Sequence, residues 1–86
     1  MNKLPEQVAY DVSQGAVDCS KSLGIRQMPD GYALMWDGDS MYYWLRYDGK
    51  YGWKSWDKWY CWRSAKLNAE GQISDPELLP TNTTEG

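Results

Sequence analysis

The chain contains no histidine and no phenylalanine, and only two cysteines. Without histidine it lacks the side chain that most readily moves protons near neutral pH and the commonest metal ligand. There is no glycine-rich phosphate loop and no Cys-X-X-Cys pair, and no serine or cysteine stands in a recognisable nucleophile setting. A non-enzymatic protein is expected, with no catalytic residues, no metal and no cofactor. Cys19 and Cys61 are too few for a disulfide framework and too far apart in the chain for a zinc pair. They read as free buried thiols that pack as small apolar groups, which favours a reducing compartment.

Long apolar runs are also lacking. The opening residues MNKLPEQVAYDV have no signal-peptide core, and nothing approaches the roughly 18 apolar residues of a membrane span. A soluble, cytoplasmic protein without membrane contact is the expectation, so the sequon Asn82-Thr83-Thr84 reads as chance. With 86 residues there is room for one domain. A chain of this size buries only about 60% of the surface its unfolded form exposes.

What the chain does have is six tryptophans and seven tyrosines, rings with a polar handle suited to half-buried positions. In the N-terminal part, Leu4, Val8, Val12, Ala16, Cys19 and Leu23 recur at steps of three or four. That spacing predicts an amphipathic helix from near Pro5 with Gly24 as its C-cap, weakened and open to a break at Gly15. Tyr32 to Trp36 and Met41 to Tyr47 read as two strands of a hairpin, joined by a turn at Asp37-Gly38-Asp39-Ser40. That acidic turn lacks the length and the terminal glutamate of a calcium loop.

After the turn Asp48-Gly49-Lys50 the chain either pairs at once through Tyr51 and Trp53 or crosses a loop and pairs from Lys58 to Ser64. Gly49 and Gly52 weaken the first option, and the β-favouring WYCWR supports the second. A helix from Asp57 to Ala69, capped by Asp57 and stopped by Gly71, is the rival for the same residues. The fold expected is α+β: an N-terminal amphipathic helix packed on a three-stranded antiparallel β-meander within residues 1–71, followed by a flexible acidic tail over 72–86.

Alternation along the second strand puts Met41, Tyr43, Leu45 and Tyr47 on one face and Tyr42, Trp44 and Arg46 on the other. One helix covers one face, so the other is expected to expose large rings, the mark of an interaction site or of self-pairing into a homodimer. Trp53, Trp56, Trp59 and Trp62 fall three residues apart, a spacing that prevents all four from being core. The segment from Arg46 to Lys66 holds six basic residues against two acids, although the whole chain carries a net charge of −3. Candidate partner-binding residues are therefore Trp44, Arg46, Trp53, Trp56, Trp59, Trp62 and Arg63. Rings beside cations suit the hot spot of a protein interface. They also suit single-stranded nucleic acid, with Lys50, Lys54 and Lys58 tracking phosphates, although the chain's overall negative charge opposes that partner.

In texture, a short Trp- and Tyr-rich domain with acidic ends and no catalytic motif, the chain resembles small accessory proteins of bacteriophages. The resemblance lies in style and not in a motif such as YYWLRYDGK. It implies a small protein that inhibits or modulates a host or phage macromolecule by occluding a surface in the host cytoplasm.

Overall fold

A computed structural model of the chain describes residues 6–76. It is an α+β protein with two helices and a three-stranded antiparallel sheet of order β1-β2-β3 among these residues. Helix α1 spans Glu6–Ser13 and helix α2 spans Lys58–Ala69; the strands are β1 at Val17–Asp18, β2 at Tyr32–Trp36 and β3 at Tyr42–Arg46.

The N-terminal helix is shorter than its apolar periodicity predicts. It ends where Gly15 takes φ 106, a left-handed conformation that glycine adopts at no steric cost. The residues beyond it form β1 and a 3-10 turn at Ser20–Leu23. On α1 the buried pair is Val8 and Asp11, and Val12 faces solvent. Pro5, expected in the first turn, lies outside the described residues.

The β2–β3 hairpin forms where the sequence places it. Leu34 pairs with Trp44 and Met35 with Tyr43, and Asp37 N–H donates to the Met41 carbonyl across the turn. The Asp37 carboxylate takes the backbone N–H groups of Asp39, Ser40 and Met41 at 2.8, 2.9 and 3.2 Å. These bonds hold its pKa well below the ordinary carboxylate range, so the turn is closed by the chain itself. Among the described residues no three acids, cysteines or histidines cluster as metal ligands.

After the second turn the chain pairs at once, against the expectation of a strand at Lys58 to Ser64. Bridges at Leu45–Tyr51 and Tyr42–Ser55 lay a broken edge along β3, five residues opposite four, so one residue bulges out. Residues 58–69 are instead helix α2. Asp57 adopts an extended backbone and its side chain accepts the Trp59 N–H, which satisfies a donor at the helix start.

Two helices therefore enclose the sheet. On one side Val8 and Ala16 pack with Ala33, Met35, Tyr43 and Leu45. On the other, Cys61 and Ala65 of α2 pack with Leu34, Tyr32 and Trp44. The sheet face expected to carry exposed rings, or to pair with a second copy, is covered by α2. Both cysteines are free, Cys61 buried and Cys19 half-buried in the same apolar cluster. Burial pushes the Cys61 thiol up to about 11, and it raises Cys19 as well.

The first residues of the expected tail return to the fold. Asn68 Nδ2 donates to the Ile73 carbonyl, and Arg46 holds Asp75 through two bonds of 2.8 Å. Residues 77–86 lie outside the described residues. Among those described, no helix is long and apolar enough to cross a membrane.

Candidate functional site

The candidate residues divide sharply by position. Trp44 is 1% exposed, enclosed between Tyr32 and Ala65, and is not available to a partner. Its burial follows from α2 lying over the face to which it points. Arg46 is committed inside the molecule: Nε donates to Asp48, Nη1 to Asn68 and Asp75, and Nη2 to Asp75. Asp75 and Asp48 hold its guanidinium pKa above the ordinary arginine value, so its charge is constant and internally matched.

Three of the four tryptophans spaced by three are exposed. Trp53, Trp56 and Trp59 are 52%, 72% and 38% exposed, and Trp62 is half-buried. Trp59 and Trp62 belong to α2, whose inward residues are Cys61, Ser64, Ala65 and Asn68. Positions separated by three and four residues share one helix face, and here that face is made of small side chains. They let α2 approach the sheet closely and seat it against Trp44. The Trp59 ring is left outside, on the opposite arc, with Tyr60, Arg63 and Lys66, and Trp62 lies half-buried at its margin against Leu23, Leu34 and Cys61.

On that outer arc the rings and cations are organised. The Trp59 and Trp62 rings meet edge to face with centroids 5.9 Å apart. Arg26, from the loop after the 3-10 turn, places its guanidinium 5.7 Å from one ring and 5.8 Å from the other. Lys58 lies 5.5 Å from the Trp59 centroid and Lys66 4.9 Å from that of Trp62. Each geometry is within the range of cation–π attraction. Trp62 Nε1 donates to the Gln27 carbonyl at 3.1 Å and Lys58 Nζ to the Ser22 carbonyl at 3.1 Å, so the loop braces the helix. Beside Trp62 a depression of about 380 Å³ opens between Arg26, Pro29, Lys66 and Glu70.

Arg63 is exposed on the same helix, whereas Lys50 is exposed at the turn before the broken edge. Trp53 and Lys54 lie elsewhere, on the rim of a cleft on the α1 side of the sheet. The structure thus joins Trp59, Trp62, Arg63 and Lys58 on one helix, and separates them from Trp44, Arg46, Lys50, Trp53 and Lys54. Arg26 and Lys66 are the members missed in the sequence; Arg26 is remote in the chain, in a segment without periodicity, and Lys66 stands beyond the last tryptophan. No family description, no curated protein and no solved structure matches the chain.

Proposed function

We propose that this is a non-enzymatic binding protein that occupies an acidic surface of a protein partner with the outer arc of α2, and thereby inhibits or modulates that partner. The observation that carries the reading is the inverted helix: small residues face the core, while Trp59, Arg63 and Lys66 face outward with Arg26 and Lys58 around the half-buried Trp62. Exposing rings costs solvation that burial would recover, and a partner that covers them recovers it. Tryptophan and arginine are the residues that most often dominate interface energetics, and a cationic rim complements an acidic surface. The depression beside Trp62 offers an anchor point for a partner side chain. The phage-protein texture of the sequence agrees with this mode of action, in which the partner is a host or phage protein.

Single-stranded nucleic acid is the less favoured partner. Base stacking needs open ring faces, and Arg26 already lies over both Trp59 and Trp62. The test compares wild type with Trp59→Ala and Trp56→Ala in pull-downs at moderate salt; both rings are exposed, so both variants should fold. Wild type should retain a defined protein, and Trp59→Ala should bind it about thirtyfold more weakly, the size of a hot-spot loss. Recovery of no protein overturns the reading. So does tryptophan quenching by oligonucleotide at low salt with a steep salt dependence, which would transfer the surface to nucleic acid.

A further inference from the structure

The side of the sheet opposite α2 carries a cleft of about 610 Å³, in the range of small-ligand sites. It is lined by Tyr10, Tyr51 and Trp53, by the buried Tyr43 at its base, and by Asp11 and Asp37. Asp11 is 7% exposed. It accepts the Tyr43 hydroxyl at 2.7 Å, the Tyr51 hydroxyl at 3.3 Å and Gln7 Nε2 at 3.0 Å. All three donors are neutral. Burial, with Asp11 next, raises the Tyr43 phenol above its ordinary value, which keeps it a donor.

Aromatic faces carry negative quadrupole charge, and with carboxylates behind them they form a cage for a cation. The protein supplies an internal stand-in. Lys54 Nζ lies 5.9 Å from the Tyr43 ring centroid and 3.3 Å from Asp37 Oδ2. Its side chain is 57% exposed, so this ammonium sits at the mouth and remains wet. An alkylated ammonium sheds its hydration more readily than a lysine and fits the apolar walls better. We infer that the cleft binds an alkylated ammonium ligand, its head caged by Tyr10, Tyr43, Tyr51 and Trp53 and its charge balanced by Asp11 and Asp37, with Lys54 as a displaceable competitor.

The experiment titrates the full chain with choline and with its neutral carbon isostere, 3,3-dimethyl-1-butanol, by calorimetry and amide chemical shifts. Choline should bind, and the isostere about tenfold more weakly, because only the charge differs. Trp53→Ala and Tyr10→Ala remove exposed rings and should each weaken choline by about tenfold without unfolding the chain. Lys54→Met should tighten binding severalfold. Trp59→Ala should leave it unchanged, which separates this site from the α2 surface. A peptide bearing trimethyllysine, run beside choline, tells a partner's side chain from a free small molecule. Equal binding of choline and its isostere, no binding of choline, or weaker binding in Lys54→Met would each overturn the assignment.

Discussion

Gly52 shows how one residue decides where a tryptophan goes. It is buried, and its N–H donates to the Trp44 carbonyl at 2.8 Å, so the broken edge passes directly across the Trp44 indole. A Cβ built there would lie 2.2 Å from Trp44 Nε1, far inside contact distance. As a strand breaker, Gly52 argues against immediate pairing, and the sequence supports that reading. The structure uses the same lack of a side chain for close backbone approach, the other meaning of glycine in a strand. Which meaning applies depends on the ring opposite, and that is set by a pairing not visible along the chain. Gly52→Ala should destabilise the fold by about 3 kcal/mol, the upper part of the range for overpacking a filled core. The measurement is a urea titration: the midpoint should fall with little change in slope. A midpoint equal to wild type would mean that Trp44 has room to move.

At the scale of elements, legibility followed how strongly local chemistry points one way. The β2–β3 hairpin was readable because its turn residues and the alternation of Tyr43 and Leu45 with Trp44 agree. Helix α1 was readable over Glu6–Ser13 and overextended at its end, since Ala16 and Cys19, which flank β1, and Leu23 of the 3-10 turn recur at spacings that mimic a helix. Helix α2 was ambiguous for a physical reason. Its buried stripe of Cys61, Ser64, Ala65 and Asn68 is small and partly polar, while the prominent Trp59 ring points out and Trp62 lies half-buried at the margin. A hydrophobic pattern built on the largest side chains therefore describes the wrong face. The same inversion moved the candidate surface from the sheet to the helix and removed Trp44 from it. Asp57 was the local signal that favoured helix, and its side chain accepts the Trp59 N–H at 2.9 Å. Asp57→Ala should cost about 1 kcal/mol, the ordinary loss for an N-cap, and Asp57→Ser should recover most of it. Thermal unfolding followed by circular dichroism decides this; equal losses in both variants would show that the cap bond is not the source.

For the molecule as a whole, a polar clasp ties the turn after β3 and the segment after α2 to elements that the apolar core already joins. Arg46 at the end of β3 binds Asp48 in the turn and Asp75 beyond α2, while Asn68 of α2 donates to Asp75 and accepts from Tyr32 of β2. The Arg46 guanidinium, with Asn68 next, pulls the Asp75 carboxyl down to about 2, and Arg46 also lowers Asp48. Both acids thus stay ionised in the folded state at a pH where the unfolded chain, with an ordinary aspartate value near 3.9, already binds protons. The contribution of Asp75 is complete above about pH 5 and is lost as pH falls toward about 2, and Asp48, also lowered, acts in the same direction. Asp37, lowered by the backbone N–H groups of its turn, acts in the same direction. Asp75 and Arg46 are partly exposed, their side chains 35% and 24% accessible, so salt should weaken the effect. The unfolding midpoint should therefore drop as pH is lowered through this window at low ionic strength. Asp75→Asn keeps the shape of the side chain but removes the titrating group, and should have a lower midpoint at neutral pH and a shallower acid decline. Curves for variant and wild type that run parallel from neutral pH to about pH 2 would show that the clasp contributes nothing to the acid response.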